Sequence, residues 1–556
     1  MKLKNLGLSV LLLPLIGYYY FIHFKYAIDF PVKDEYRTIC TVILDFIQAP
    51  DFWSKMKVML VNENESLQLV LKLFNVLSFS VTGEIQYRWL AAVGQLSLLV
   101  FPFVVWQRKY ALALVVLIVF NLQYYVLSFR HDTSFYYHVG LAGVLLSAYF
   151  WMKKDYKAVV LFFLLAIFNN TSSVFILPIF LLDYLLNQNT PSKRVLWMGA
   201  GAFVLVLVGF YLLNPLLFYL PEGPFITFKS LLIILGNFVD FHFGYLREKP
   251  YLFFGSLHLV FALGTFVYYM FFYKEKNDNA RFYAILAMYF LLSILAIALK
   301  RSSLYHHINT LLDPRYKIFT FPALVFMFLL WTEMVRIPKW VKASVFVVLL
   351  GYNFLSAARE KDAVRYYDQA LKLNSVSVPR GYDMMGPVHI DFATAIYQEM
   401  REANVAPKVA KEGQGWYDFM EAYEFSGREK VMEADIKSVR LFDSDRYHTI
   451  LEVNGKDETR KSIVALKSKD HVFLFAIDYF LPQGYLKWLQ SGEYCSPDFV
   501  VNLFLSVLEE GEYTLCLLSE EGKGKFSVQV HPEKVVIDAR AKNMEDEFPE
   551  QYDVMD

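Results

Sequence analysis

Over its first 357 residues the chain alternates apolar runs of about 20 residues with polar loops, the longest over 25–87; after that its pattern changes. About 20 apolar residues is the length a helix needs to cross a bilayer core. Spans are predicted near 5–24, 88–106, 110–128, 134–152, 195–214, 251–273, 281–299, 317–335 and 340–357. The first, MKLKNLGLSVLLLPLIGYYYFIHF, has basic residues followed by an apolar stretch but no small-residue cleavage site, so it reads as a retained span. Residues 157–187 form one apolar stretch broken by NNTSS at 169–173. It is too short for two crossings of about 20 residues each, so a hairpin of two short helices is expected. A polar break at membrane depth persists only inside protein or beside a wet cavity. The segment 227–245 carries Asp240 and His242 and reads as an interfacial helix.

The loop 25–87 contains TICTVILDFI and LQLVLKLFNVL, with apolar residues at helical spacing, which predicts helices along the outer membrane face. From 358 onward the chain is charged and interrupted. DFATAIYQEMREA reads as helix. HTILEVNG, KSIVALKS, HVFLFAIDYF, EYTLCLLSE and KFSVQVH alternate apolar and polar residues and read as strands of a small antiparallel sheet or sandwich. The expected architecture is a polytopic α-helical membrane bundle over 1–357, with about 11 membrane helices counting the broken hairpin. A soluble α/β or β-sandwich domain follows over 358–556.

Composition agrees with a membrane protein: 56% of the 556 residues are hydrophobic and only 19% charged. The formal net charge is zero, which gives no electrostatic case for a nucleic-acid partner. Three cysteines make no disulfide framework, although Cys495 and Cys516 could pair in an oxidising compartment. Lys2, Lys4, Arg108, Lys109, Lys153, Lys154, Lys157, Lys193 and Arg194 fall on one side of the predicted spans, as do Lys274, Lys276, Arg281, Arg336, Lys339 and Lys342. The positive-inside pattern makes that side cytoplasmic, with the N-terminus, and puts loop 25–87 and the tail outside.

Against that pattern, the outer loops near the end of the bundle carry Arg247, Lys249, Lys300, Arg301, His306, His307, Arg315 and Lys317. Clustered cations with no topogenic reason suit an anion, and phosphate is recognised by charge-assisted hydrogen bonds; the competing reason is snorkelling to lipid headgroups. The first outer loop contributes acids: Asp29, Asp34 and Glu35, with Glu63 further on. Acids opposite cations suit transfer of a sugar from a lipid phosphate, which needs a base for the incoming hydroxyl and positive charge where phosphate departs. Asp34 and Glu35 also suit the first turn of a helix. No phosphate loop, zinc spacing or serine nucleophile elbow is present.

DEYRT at 34–38 resembles the acidic motif in the first outer loop of membrane glycosyltransferases of the C fold (GT-C). The similarity is to the group containing protein O-mannosyltransferases and aminoarabinose transferases. FRHDTSFYYHVGLAGVLL, with Asp132, resembles that family's second outer loop. DPRYKIFTFPALVF, with Arg315, Tyr316 and Pro322, resembles its Arg-Tyr start of a late span. The break around Asn169 and Asn170 sits where family members often have a lysine. The resemblance covers roughly 1–357. It implies a polyprenyl-phosphate sugar donor, a glycan, lipid or protein acceptor, and inversion by single displacement. Asp34 would be the base, with Asp29 as the alternative. Glu35 would orient Asp34 or help bind a divalent cation (Mg or Mn), and Asp132 would face the acceptor or that metal. Arg315, with Tyr316 and Lys300 or Arg301, would hold the donor phosphate, with contacts from His306, His307 and Asn170. Asp34 and Arg315 would share one pocket. The expected location is a bacterial inner membrane. Rival readings are an O-antigen ligase or polymerase, and a lipid or solute transporter.

Overall fold

The computed structural model describes residues 3–32, 35–61, 68–124, 127, 130–187, 199, 201, 203–204, 208, 223–239, 248–273, 277–302, 311–382, 390–443, 446–479, 485–505, 508–522 and 524–537. The chain divides into two compact units. One comprises Met1–Lys25, Gln48–Leu77 and Trp89–Ala357; the other comprises Tyr26–Ile47, Ser78–Arg88 and Ala358–Asp556. Loop 25–87 is thus shared between the units.

The described helices before the sheet region are α1 (Leu3–Tyr26), α2 (Val42–Gln48), α3 (Phe52–Leu60), α4 (Leu69–Thr82), α5 (Tyr87–Ser97), α6 (Val100–Val104), α7 (Lys109–Val119) and α8 (His131–Met152). They continue with α9 (Tyr156–Ile167), α10 (Ile176–Asn187), α11 (Pro224–Gly236), α12 (Lys249–Val267), α13 (Asp278–Arg301), α14 (Lys317–Met334), α15 (Lys339–Ser377), α16 (Ile390–Glu402) and α17 (Lys411–Ala422). Among the described residues, five helical stretches are long and apolar enough to cross a membrane: Tyr87–Val104, Lys249–Phe272, Asp278–Arg301, Pro314–Met334 and Lys339–Arg380. They suggest an integral membrane protein.

The first unit is tied together by buried polar groups on apolar helices. Tyr19 Oη donates to Gln95 Oε1 at 2.7 Å, and Gln95 Nε2 donates to Ser134 Oγ at 3.0 Å, linking α1, α5 and α8. Asp183 on α10 holds Arg281 on α13 by two bonds of 3.1 and 2.7 Å and accepts Trp151 Nε1 at 2.9 Å. The broken hairpin has the expected form: α9 and α10 are 12 residues each, separated by the turn Thr171–Phe175.

Several elements differ from the sequence pattern. The span expected at 110–128 is an 11-residue helix, α7. Leu117 O in its last turn and Phe120 O just beyond it accept Asn353 Nδ2 of α15 at 2.7 and 3.0 Å, which pairs two of the carbonyls freed where the helix ends. Asn121 Oδ1 then accepts Gln123 N–H at 3.0 Å and starts a new turn. The segment expected as interfacial forms α11, with seven residues buried inside the unit rather than laid along a surface. Helix α15, expected to end near 357, runs 39 residues to Ser377, through the division between the units. The expected span 195–214 lies largely outside the described residues.

The second unit contains eight described strands: β1 (Lys430–Val431), β2 (Ala434–Asp443), β3 (Arg446–Lys456), β4 (Ser462–Lys467), β5 (Val472–Phe475), β6 (Asp498–Phe504), β7 (Gly511–Gly522) and β8 (Lys525–Ile537). They form a five-stranded sheet in the order β1-β8-β7-β4-β5 and a three-stranded antiparallel sheet β2-β3-β6. The five-stranded sheet is mixed, since β1 runs parallel to β8. Alternation decides the layering: Val464 and Leu466 pack with Val453, Val501 and Leu503 of the smaller sheet, while Ile463 and Ala465 pack with Leu373 of α15 and Met420 of α17. Asp362 of α15, 2% exposed in its side chain, pairs with Arg365 at 3.3 Å and Arg460 at 3.5 Å. Glu493 pairs with Lys361 and Arg365 at 3.0 Å each. Cys40, Cys495 and Cys516 are buried free thiols, so the pairing considered for Cys495 and Cys516 is not made.

Candidate functional site

The site residues predicted in the first unit come from three separated segments. The first is the start of α8. Arg130 precedes the helix, and Asp132 lies in its first turn, where a carboxylate meets the helix dipole favourably. Asp132 is 4% exposed. Its Oδ1 accepts Thr133 N–H at 2.5 Å and Thr133 Oγ1 at 2.8 Å, with Arg130 Nε 4.0 Å away.

The polar break is the second segment. Asn169 Nδ2 donates to Phe135 O at 3.1 Å and Tyr136 O at 2.9 Å, pinning the break onto α8. Gly140 makes this possible: a Cβ there would lie 2.6 Å from Asn170 Cβ. Asn170 Oδ1 accepts Ser172 N–H at 3.0 Å and Ser172 Oγ at 2.8 Å. Its Nδ2 is buried and has no acceptor among the described residues.

The third is the late outer segment. Asp313 caps the turn Pro314–Tyr316, its Oδ1 accepting Arg315 N–H at 2.9 Å, and its Oδ2 pairs with Arg315 Nε at 2.9 Å. The Arg315 guanidinium lies 5.2 Å from the centre of the buried Tyr316 ring. Lys300 and Arg301 close the last turn of α13, where a helix C-terminus favours cations. Lys317, counted with the outer cations, is 2% exposed.

These segments meet at Tyr136 and Tyr137, half-buried neighbours on α8 with ring centres 4.8 Å apart. Arg315, Tyr316 and Arg301 are all close enough to act electrostatically on the Tyr137 hydroxyl. Tyr137 also packs edge-on against Phe319 of α14 at 5.7 Å. Neither tyrosine was singled out from the sequence. The signal was FYYHVG one turn after Asp132, two aromatics with polar tips at a span end. Asp313 was also overlooked, although Asp before Pro marks a helix start.

The acidic motif belongs to the second unit. Asp34 lies outside the described residues, as do His306, His307, Arg247 and Glu63. Glu35 is fully buried, and its Oε2 accepts Val32 N–H at 3.0 Å while its own N–H donates to Val32 O at 2.9 Å. That reciprocal pair opens the π-helical turn Tyr36–Thr41. Beneath it, Cys40 Sγ lies 3.0 Å from Tyr87 Oη, and burial pushes the thiol pKa up. Asp29 is exposed and accepts Arg88 N–H at 2.9 Å in the first turn of α5. Among the described residues, no group of three or more His, Cys, Asp or Glu is placed to hold a metal ion.

No protein-family model, no curated protein and no solved structure matches this chain.

Proposed function

We propose that this protein transfers a sugar from a polyprenyl-phosphate donor to a hydroxyl acceptor on the extracytoplasmic membrane face. The observation that carries the reading is that Tyr137, on the helix that Asp132 begins, packs edge-on at 5.7 Å against Phe319, four residues after Arg315, so that acid and arginine lie at one end of the same unit. Cations at that end of the unit, Arg315 and Arg301, suit a phosphate that gains charge as its bond to the sugar breaks. In the reaction the acceptor oxygen attacks the anomeric carbon as the carbon–oxygen bond to phosphate breaks. The bonding pair leaves with polyprenyl phosphate, the acceptor proton passes to a carboxylate, and the anomeric centre inverts. Asp34, by its motif, is that base, and Asp132 is the second acid. Glu35, whose carboxylate accepts the Val32 N–H, is a positioning residue next to Asp34 in the sequence.

The test is turnover of a panel of polyprenyl-phosphate sugars in proteoliposomes, reading release of polyprenyl phosphate. Asp34→Asn and Arg315→Gln should each lower turnover by roughly 100-fold or more, with unchanged thermal unfolding. No release from any donor, together with polyprenyl-phosphate binding indifferent to Arg315→Gln, overturns the proposal.

A further inference from the structure

At the opposite end of the bundle the first unit holds a cavity of about 500 Å³. It lies between the turn that joins α6 to α7, the last residues of α8, and the first turn of α13. That end carries Arg108, Lys109, Lys153, Lys154 and Lys157, the residues that mark the cytoplasmic side by charge.

Its lining has two characters. Arg108 and Lys153 supply positive charge. The Arg108 guanidinium sits over the rings of Phe282 and Tyr283, at 5.5 and 5.0 Å, and its Nη2 donates to Asn279 Oδ1. Its Nη1 is buried with no acceptor among the described residues. Lys153 Nζ rests 5.5 Å from the centre of the Tyr149 ring. Neither cation pairs with a described carboxylate. The carboxylate on the wall, Asp278, is matched by Arg281 of its own helix at 3.4 Å. Beside this polar floor, Phe103 and Trp106 are 55% and 51% exposed. Aromatics at that depth belong to the membrane–water interface.

We propose that this cavity holds the phosphate headgroup of an anionic phospholipid from the adjoining leaflet. A guanidinium with a spare donor and a nearby ammonium satisfy a phosphodiester, and basic pockets between membrane helices on the cytoplasmic side bind such headgroups. The exposed aromatic wall is what separates a lipid from a soluble anion: Phe103 and Trp106 offer apolar contact that acyl chains use and free phosphate does not.

Delipidated protein is titrated with phosphatidylglycerol, phosphatidylcholine or inorganic phosphate, following thermal unfolding and the lipid adduct in native mass spectrometry. Phosphatidylglycerol should raise the unfolding temperature and persist as an adduct, and phosphatidylcholine should do neither. Arg108→Gln combined with Lys153→Gln should weaken phosphatidylglycerol roughly tenfold. Lys153→Gln alone, in an exposed turn, should give part of that loss and carries the test if the double variant does not fold. Asp278→Asn should tighten binding by removing a like charge. Equal responses to the two lipids, variants that bind as the parent does, or a full response to inorganic phosphate alone overturns the proposal.

Discussion

At the scale of single residues, the side chains that shape this molecule are mostly polar groups placed where an apolar pattern hides them. Asn353 sits in a run of aliphatic and aromatic residues, yet its amide closes the end of α7 by bonding two carbonyls. Asn353→Leu leaves Leu117 O and Phe120 O buried without that donor. It should cost about 1–3 kcal/mol, measured as lost stability in detergent. Asp132 and Arg315 were legible as charged residues beside predicted spans, and both lie largely buried at span ends. Their partners were not legible in the same way. Asp313 is two residues from Arg315, and its ion pair follows only once the turn Pro314–Tyr316 folds the side chain back. Glu35 carries the family-like motif, but its burial and its bond to Val32 depend on a π-turn that periodicity does not announce.

At the scale of elements, alternation and periodicity read well where short apolar runs are bounded by turn residues. All five strands expected in the tail are present as β3, β4, β5, β7 and β8, because each is a short apolar-rich run bounded by turn residues, and β4 and β5 are buried on both faces. Strands β2 and β6 went unread; ADIKSVRLFD and DFVVNLF gain their strand form by pairing with β3. Close helix packing gives a test. A Cβ on Gly255 of α12 would collide with the Leu232 carbonyl of α11. Gly255→Ala should therefore destabilise the first unit by about 1–3 kcal/mol despite a better helix propensity. The turn before β1 gives a pH test. Glu429 Oε1 accepts Ser426 N–H at 2.6 Å, Ser426 Oγ at 2.9 Å and Tyr423 Oη at 3.2 Å. The Ser426 N–H bond leads in holding this carboxyl down at about 2, below the ordinary 4.5. A depressed carboxyl stabilises the fold above its unfolded value and loses that contribution as pH falls through the folded one. The unfolding-temperature gap between the parent and Glu429→Gln should be full at pH 7 and shrink between pH 4.5 and 2; a gap constant with pH contradicts this.

For the whole molecule, the proposed reaction depends on groups from distant parts of the sequence acting together. Arg301 ends one helix and Arg315 lies in the turn before another, 14 residues apart in the sequence. If they hold one phosphate, Arg301→Gln and Arg315→Gln should each lower kcat/KM, and the double variant should lose less than the product of the single losses. Losses that multiply mean that the residues act independently and speak against a shared anion. The sequence by itself determined the long apolar segments, the polar hairpin break and the strands in the later part of the tail. Each follows from local length, period and composition, and needs no distant partner. Only the tertiary structure decided where α7 stops, that α15 continues to Ser377, and that segments of loop 25–87 join the second unit rather than the first. It also packed Tyr137 of α8 against Phe319 of α14. These outcomes depend on which distant groups satisfy a buried carbonyl, fill a gap beside a glycine or share a charge, and a one-dimensional pattern does not record such pairings.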